Sequence, residues 1–191
     1  KRLLAYSGIA NAGYLLVPIA ASFTTAHTSN FYEFTYYLIA YMLMNIGAFA
    51  VLIAVEQADG TSELKGFAGL YHRAPWTAFA MVLIVISLAG FPVTGGFFGK
   101  LFILMGTLET QNYWLPAIMI ATSVISYYYY YGFIRQMFMR SHGGNSLRIT
   151  PALGIVIWIC AVLGVLMGFF PQWIINSMEK VFKIGQDLLL M

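Results

Sequence analysis

Five long apolar runs constrain this sequence more than any other feature. Each has about twenty residues or more, the length that a helix needs to cross the hydrocarbon core of a bilayer. Only helices satisfy their own backbone hydrogen bonds in lipid over such runs, and no segment alternates with the period of a barrel strand. We therefore predict an all-α polytopic transmembrane helix bundle with spans at about residues 3–23, 31–55, 76–108, 114–133 and 152–170.

The composition supports a lipid environment. Hydrophobic residues make up 60% of the 191 residues, charged residues make up 9%, and the mean hydropathy is +0.77. A soluble domain carries about a quarter charged residues and a disordered chain carries few apolar ones, so both classes are excluded. Cys160 is the single cysteine in the sequence, which excludes a disulfide-built scaffold. The Lys and Arg residues are scattered, so the net charge of +3 does not predict nucleic-acid binding.

The distribution of positive charge predicts the orientation in the membrane. Cytoplasmic connections are enriched in Lys and Arg. With five crossings, one side of the membrane receives seven of these residues and the other side receives two. We therefore expect a cytoplasmic N-terminal end without a signal peptide, as in the downstream part of a longer polypeptide, and an external tail over residues 172–191. The seven are Lys1, Arg2, Lys65, Arg73, Arg135, Arg140 and Arg148, and the two are Lys180 and Lys183.

Two segments outside the spans have the apolar spacing of amphipathic helices. One is a short helix in the cytoplasmic loop, capped by Thr61 or Ser62, and the other is the tail. Either segment would lie flat on the bilayer or pack on the bundle, because the pattern does not show what its apolar face contacts. The loop helix would present Leu64, Phe67 and Leu70 or Tyr71, and the tail would present Ile174, Met178, Val181 or Phe182, and Leu188 or Leu189.

The third run is too long for one perpendicular helix and is interrupted at residues 90–96. Pro92 has no N–H to give the carbonyl of Leu88, and Gly95 and Gly96 let the chain leave helical geometry. Two separate crossings are the alternative, but residues 97–108 would cover roughly 18 Å of a core of about 30 Å. We therefore predict one broken crossing, near residues 91–96, whose unpaired backbone groups face a polar or hydrated cavity.

Lys100 follows the break and is the only charged residue of the sequence that lies in the interior of a predicted span. Glu109 lies about 14 Å further along the helix, which would place the amine near the middle of the bilayer. Such burial costs at least about 2.5 kcal/mol. Lys100 would either bond the carbonyls that Pro92 frees and hold the bundle together, or act as a proton carrier. The second role needs a lysine, because desolvation favours a neutral amine whereas arginine does not release its proton.

Hydroxyl and amide side chains on the neighbouring spans surround this position. Each could order water on a proton path, although hydrogen bonding between helices is the commoner role of such groups. No acidic residue lies in the interior of a span, so we expect any counter-charge of Lys100 from another segment or subunit. The proton-path candidates are Ser7, Asn11, Tyr41, Asn45, Ser87, Thr94 and Ser126, with Tyr14, Tyr37, Ser123 and Tyr130 on the same helix faces.

The sequence predicts no metal or cofactor site in this chain. His27, His72 and His142 lie in separate loops, and His27 is expected on the opposite side of the membrane from the other two. Gly164 and Gly168 have the spacing typical of close helix packing. Phosphate-binding loops, dinucleotide fingerprints and nucleophile–base constellations are absent from the sequence.

Several motifs resemble one family of membrane proteins. The most specific is SLAGFPVTGGFFGK at residues 87–100, which contains the break and the lysine. The others are KRLLAYS at 1–7, AGY at 12–14, YMLMNIGAF at 41–49 and LKG at 64–66. Over its first four spans, the chain resembles the antiporter-like proton-pumping subunits of respiratory complex I, most closely the subunit N branch.

The resemblance implies a subunit of fourteen helices in two inverted repeats, of which this chain would be the C-terminal third and Lys100 the lysine of the second repeat. It implies a proton-translocating part of NADH:quinone oxidoreductase in the bacterial inner membrane. NADH, FMN, iron–sulfur clusters and quinone would be bound by other subunits and none by this chain. The implied partners are other membrane subunits and the bilayer, with no nucleic acid and no small-molecule substrate besides protons and water.

One position departs from the family pattern, because many members have His where this chain has Asn11. An amide does not titrate near neutral pH, so we expect Asn11 to order water rather than to carry a proton. Two alternatives stay open from the sequence. One is a cation/proton antiporter subunit of the multisubunit, Mrp-like type, which shares the lysine in a broken helix. The other is a structural membrane module in which Lys100 serves packing.

Overall fold

The fold is a bundle of α-helices, seen here in a computed structural model. The backbone is described for residues 1–22, 29–61, 63–109, 113–139, 147 and 149–189, and the side chains for 1–20, 32–61, 63–108, 113–139, 147 and 149–181. These residues are nearly all helical, which confirms the predicted all-α class. The helices are α1 (Arg2–Ser22), α2 (Ser29–Asp59), α3 (Leu70–Arg73), α4 (Pro75–Ala89), α5 (Gly95–Glu109), α6 (Trp114–Phe138), α7 (Pro151–Phe169) and α8 (Pro171–Leu189), with a 3-10 turn at Leu64–Phe67.

Within the described residues, three helices are long and apolar enough to cross a membrane, at Arg2–Ala20, Tyr32–Asp59 and Pro151–Phe169. Two shorter apolar helices, Pro75–Ala89 and Gly95–Leu108, lie within the predicted third span. That run is therefore a broken helix, as the sequence predicts. α6 extends beyond the predicted end of the fourth span at residue 133, since its polar last turn is still helical.

α2 is the central helix of the bundle and packs against α1, α4, α5 and α7. Small residues on α2 allow this close approach. At Gly47, an added Cβ would lie 2.7 Å from Cδ1 of Ile84 on α4 and 2.9 Å from Cβ of Cys160 on α7, so the three helices meet there. The outward faces of α1 and α6 carry exposed apolar side chains, as expected for helices that face lipid or further helices: Tyr6, Ile9, Leu16, Val124 and Ile125.

The predicted loop helix is present as two separate turns. The 3-10 turn ends at Phe67, and Gly69, with a left-handed φ of 70°, precedes the first residue of α3, Leu70. Phe67 and Leu70 are buried, and the Phe67 ring lies 5.0 Å from the ring of Phe133 on α6. Of the two alternatives for this segment, the structure therefore shows packing on the bundle.

The loop is also held by an ion pair. Arg73 donates to both carboxylate oxygens of Asp59, at 2.7 and 2.6 Å, and lies 3.4 Å from the carbonyl oxygen of Gly66. This bidentate pair is largely buried and joins the end of α2 to the end of α3.

α8 is amphipathic and follows α7 after a break at Phe170. Its first turns pack on the core through Ile174, Ile175 and Met178, whereas Trp173 and Val181 are exposed. The predicted stripe beyond residue 181 lies outside the described side chains.

Candidate functional site

The break between α4 and α5 has a defined backbone path. Gly90 caps α4 with a φ of 81°, and its N–H bonds the carbonyls of Ile86 and Ser87. Val93 has a φ of 76°, which is a strained conformation for a β-branched residue. The side chains of Phe91, Pro92 and Val93 are exposed, so the connecting residues lie at the surface of the described bundle while the helix ends face inward.

Two of the predicted proton-path residues, Ser87 on α4 and Thr94 before α5, accept hydrogen bonds from the first turn of α5. Thr94 accepts a hydrogen bond from the N–H of Phe97 at 3.4 Å and donates to the carbonyl of Phe91 at 2.7 Å. Ser87 accepts from the N–H of Gly96 at 3.3 Å. Both hydroxyls are buried and satisfy N–H groups that have no partner within the helix.

Glycines let neighbouring backbones approach the break. A Cβ at Gly96 would collide with the carbonyl oxygen of Ser87, and a Cβ at Gly95 would lie 2.9 Å from Cβ of Met167 on α7. A Cβ at Gly168 would lie 2.5 Å from Cα of Thr94. α7 therefore packs directly on the backbone of the break, which is the close contact that its glycine spacing predicts.

The ammonium group of Lys100 lies at the end of α4. The residue is 7% exposed, and Nζ donates to the carbonyl oxygen of Leu88 at 2.9 Å and lies 3.5 Å from that of Ala89. Nζ also lies 5.1 Å from the ring centroid of Tyr14. The last carbonyls of a helix carry a partial negative charge, and the ring face attracts cations, so these groups offset part of the cost of burial.

Leu88 is the residue whose helical partner would be Pro92, and its carbonyl is free because proline has no N–H. The predicted pairing of Lys100 with a carbonyl freed by the proline is therefore present in the structure. Among the described side chains, no carboxylate bonds the amine. The charge of Lys100 is matched here by dipoles and an aromatic ring.

Tyr127 on α6 completes the environment of the break, and sequence reasoning missed it. Its hydroxyl donates to the carbonyl oxygen of Gly90 at 2.9 Å. The carbonyls of Leu88 and Ala89 thus face the amine of Lys100, and the carbonyl of Gly90 faces the hydroxyl of Tyr127. In the sequence, Tyr127 stands in a run of five tyrosines that indicates a membrane interface. Only its packing against α4 distinguishes it from its neighbours in that run.

A cavity of about 220 Å³ lies beside Lys100, between α5 and α6. Its lining is mostly apolar, with Lys100, Ser123 and Tyr127 as the polar side chains. The cavity continues along α5 to Leu104, one helical turn beyond the lysine. It is large enough for several water molecules next to the amine.

Four of the polar residues on neighbouring helices are joined directly. Tyr37 donates to Oδ1 of Asn11 at 3.0 Å, and Nδ2 of Asn11 lies 3.2 Å from the hydroxyl of Tyr130. That hydroxyl is also hydrogen-bonded to Ser7. All four side chains are buried, and we call them the polar cluster: Ser7, Asn11, Tyr37 and Tyr130.

Tyr14 links the polar cluster to the lysine. Its ring centroid lies 5.1 Å from Nζ of Lys100 and 6.4 Å from the ring centroid of Tyr37. The Tyr14 hydroxyl is hydrogen-bonded to Thr122 at 2.9 Å and lies 3.4 Å from Ser123. Lys100 is therefore connected to the polar cluster through aromatic contacts of Tyr14 rather than through a chain of hydrogen bonds.

The other predicted path residues form hydrogen bonds to other groups, although the ring of Tyr41 stacks on that of Tyr37 at a centroid distance of 6.4 Å. Tyr41 donates to the carbonyl of Gly8 at 2.9 Å, and Asn45 donates to the carbonyl of Tyr41 on its own helix. Ser126 is buried and donates to the carbonyl of Ser123. These three contacts are the interhelical and intrahelical bonds that such residues ordinarily make.

The described residues contain no group of three His, Cys, Asp or Glu side chains that could hold a metal ion. His72 is exposed and packs against Tyr71. His27 and His142 lie outside the described residues. Cys160 is a buried free cysteine in the packing of α7.

Solved structures define the class to which this arrangement belongs. The chain is similar to a chain of respiratory complex I from Thermus thermophilus with bound aureothin, with a TM-score of 0.77 and 27% identity over 92% of this chain and 39% of that one. It is also similar to a chain of the Mrp complex from Dietzia sp. DQ12-45-1b, with a TM-score of 0.80 over 90% of this chain and 40% of that one. The second likeness, at 18% identity, shows the fold alone. The class is that of antiporter-like, multi-pass membrane subunits.

The family follows from the sequence match. Residues 1–126 match the family described as NADH:quinone oxidoreductase/Mrp antiporter, TM, and the chain belongs to this family. It is 58% identical, over 98% of its length, to NADH-quinone oxidoreductase subunit N of Paenibacillus sp. (strain JDR-2), and 52% identical to the subunit N of Brevibacillus brevis. These matches confirm the resemblance seen in the motifs. The chain covers 36% of the length of each of these curated relatives.

Proposed function

We propose that this chain is part of a proton-translocating membrane subunit of NADH:quinone oxidoreductase and that Lys100 is its proton carrier. The identity to subunit N relatives supports the assignment to that complex. Quinone reduction elsewhere in the complex would change hydration and charge around Lys100. NADH, FMN, iron–sulfur clusters and quinone would be held by other subunits, and this chain would bind protons and water.

The burial of the Lys100 amine at a helix break is the observation that carries this proposal. The amine is held by the carbonyls of Leu88 and Ala89, which accept hydrogen bonds from a protonated and also from a neutral amine. A carboxylate in direct contact would instead fix the protonated form. The cavity next to the amine provides space for water to deliver or remove a proton.

The cytoplasmic side offers an entrance under the proposed orientation. A second cavity of about 550 Å³ lies between the start of α1, the 3-10 turn and α6, and it is lined in part by Lys1, Arg2 and Glu63. Its apolar floor includes Leu4 and Phe133, each one helical turn from a member of the polar cluster, Ser7 or Tyr130. We propose that protons enter here and reach Lys100 through the polar cluster when water joins the two.

Substitution of Lys100 in the whole complex tests the proposal. We expect Lys100→Met and Lys100→Arg to lower coupled proton transport about tenfold or more, as is typical when a proton-transfer group is removed. The measurement is the proton-to-electron ratio in inverted membrane vesicles that oxidise NADH. Lys65→Met is the matched control, because Lys65 is an exposed lysine on the loop. An unchanged ratio in assembled Lys100→Met complexes would exclude Lys100 as the carrier.

A cation/proton antiporter subunit is the second candidate function. The observation that favours it is the fold of the Mrp complex chain, together with a family description that includes Mrp antiporters. Efflux of sodium or potassium from vesicles without NADH, lost in Lys100→Met, would support this candidate. Proton transport that strictly requires NADH oxidation would support the first.

The structural role of Lys100 makes a different prediction in the same experiment. The hydrogen bond to Leu88 shows that the lysine ties α5 to α4. If this tie were its whole function, Lys100→Met would preserve proton transport, and Lys100→Arg would be the more damaging change because of its bulk. The proposed carrier role predicts that both variants lose transport.

A further inference from the structure

Glu33 on α2 lies against α5, the helix that carries Lys100. It fits into a notch on the α5 surface, where Gly106 has no side chain. A Cβ added at Gly106 of α5 would collide with Oε2 of Glu33 and would lie 2.9 Å from its Cδ and Oε1. The carboxyl group therefore sits on the bare backbone of α5. Its side chain is half-buried rather than extended into solvent.

The notch at Gly106 lies in the α2–α5 interface, which also contains Gly99, next to Lys100. α2 and α5 run antiparallel, and one turn further along α2 the ring of Tyr37 packs on Gly99, 2.5 Å from the position of an added Cβ. Gly99 directly precedes Lys100. Gly106 is six residues beyond Lys100, or about 9 Å along the axis. Glu33 and Lys100 therefore lie two turns apart on one helix interface.

An apolar layer separates the two groups. Ile103 is fully buried between them and packs with Phe34 and Leu38 of α2. The side chains packed between the two groups, Ile103, Phe34 and Leu38, are apolar and carry no hydrogen-bonding group. Protons could cross the layer only when water enters it, so the layer has the properties of a closed gate.

Polar groups continue along α5 beside this layer. The cavity next to Lys100 reaches Leu104, and the following turn carries Thr107, whose hydroxyl is buried and bonded to the carbonyls of Ile103 and Leu104. Thr107 directly follows Gly106, the residue against which the carboxyl group of Glu33 lies. Water that extends the cavity by one turn would therefore meet a hydroxyl and then a carboxylate.

We propose that Glu33 is the outer proton acceptor for Lys100. This inference rests on the proposed function, since it assumes that Lys100 carries protons and that the α1–α2 connection is external. When the layer hydrates, the ammonium of Lys100 gives one proton to the water chain and becomes a neutral amine. The carboxylate of Glu33 takes one proton from that chain, becomes neutral, and then releases the proton to the external solution.

Glu33 is suited to this role by its position. Among the side chains described on the outer halves of α1, α2, α5 and α6, it is the one carboxylate. A half-buried carboxyl group can exchange protons with water on one side and with a hydrated layer on the other. The notch at Gly106 holds the carboxyl group against α5. Because α5 carries both Gly106 and Lys100, a movement of α5 at the break would shift both residues relative to Glu33 on α2.

Three variants of the full complex test the proposal. Glu33→Gln keeps the shape of the side chain and removes the proton site, and we expect it to lower coupled proton transport roughly tenfold. Glu33→Asp keeps a carboxyl group and should retain most of the transport. Gly106→Ala keeps Glu33 but displaces its carboxyl group, a change that a flexible side-chain end tolerates, and we expect an intermediate loss. Glu179→Gln on α8 is the matched control.

The double variant Lys100→Met/Glu33→Gln distinguishes a shared route from a general loss of stability. Two groups on one proton path are not additive, so the double variant should transport no less than Lys100→Met alone. Wild-type proton transport in Glu33→Gln, or a further loss in the double variant, would overturn the inference. If Lys100→Met were defective and Glu33→Gln normal, the proposed function would stand and the role of Glu33 would fall. If Glu33→Gln failed to assemble, a transport defect in assembled Glu33→Asp complexes as large as that of Lys100→Met would likewise overturn the inference.

Discussion

The broken helix α4–α5 and the continuous helix α7 lie side by side, yet they treat polar groups differently. α7 begins with Pro151 at its first turn, where a missing N–H costs nothing, and it contains no charged residue. α4–α5 has its proline at the centre, which frees the carbonyl of Leu88 for Lys100. The two apolar segments thus differ in where the proline stands. A charge is accommodated where backbone acceptors have been released.

Glycine substitutions give the largest expected contrast between these two regions. Gly96→Ala places a Cβ against the carbonyl oxygen of Ser87, which is backbone and cannot move aside without disturbing the break. We expect a loss of more than about 3 kcal/mol, or failure to assemble. Gly164→Ala on α7 has no atom within 4 Å of the new Cβ and should change stability by less than about 1 kcal/mol.

Thermal unfolding of the purified full-length subunit in detergent measures both changes. The two variants add the same methyl group, so their difference reports the space at each backbone site. Equal stability of the Gly96→Ala and Gly164→Ala variants would show that the break is not packed as tightly as the structure indicates.

The break and its lysine could be predicted from the sequence because their causes are local. Pro92 identifies Leu88 as the unpaired carbonyl through the geometry of a single turn, and Lys100 is within reach on the next helix. The contacts of Tyr127 and Glu33 could not be predicted in this way. Tyr127 is one of five consecutive tyrosines, and the side that faces α4 depends on how α6 packs. Glu33 stands near the end of a span, where a carboxylate is ordinary until α5 presents Gly106.

The surface loop shows a similar limit. Apolar spacing predicts a helix through Phe67 and Leu70 but does not show what these residues face. In the tertiary structure the Phe67 ring packs on Phe133, Leu70 is buried, and Gly69 separates the 3-10 turn from α3. An amphipathic pattern therefore predicts that a segment has a buried face, and the neighbouring helices decide whether lipid or protein covers it.

The polar cluster allows a second test of how this region differs from α7. Asn11→Leu would leave the hydroxyls of Tyr37 and Tyr130 without their amide partner in a buried site. Unsatisfied buried groups cost about 1–3 kcal/mol, so we expect a loss in that range. Ile9→Leu, at an exposed position of the same helix, is the control.

Asn11→His is the informative companion of that variant. A neutral imidazole has one donor and one acceptor nitrogen and can keep both contacts, and it can also titrate. We expect it to restore most of the stability lost in Asn11→Leu and to keep proton transport, as measured by thermal unfolding and by the proton-to-electron ratio. A His variant as unstable as the Leu variant would contradict the role of Asn11 as a donor–acceptor bridge.

Tyr127→Phe tests the third carbonyl of the break. The change removes the hydrogen bond to Gly90 and keeps the ring. Because Gly90 lines the cavity, water can replace the lost donor, so we expect a modest destabilisation of about 1 kcal/mol and a two- to threefold loss of proton transport. Tyr128→Phe is the matched control, since Tyr128 is 87% exposed. Identical transport in the two variants would remove Tyr127 from the set of residues that position the break.

Lys100→Met should have the smallest effect on stability and a sign opposite to the other variants. The lysine is matched by dipoles and an aromatic ring rather than by a carboxylate, so its replacement by an apolar side chain of similar length should be neutral or stabilising by about 1 kcal/mol. Thermal unfolding of the full-length subunit measures this change, with Lys65→Met as the control. Stability that is unchanged or higher, combined with lost proton transport, is the signature of a charge kept for function. A large loss of stability would instead assign Lys100 to the packing of α4 on α5, as its hydrogen bond to Leu88 alone allows.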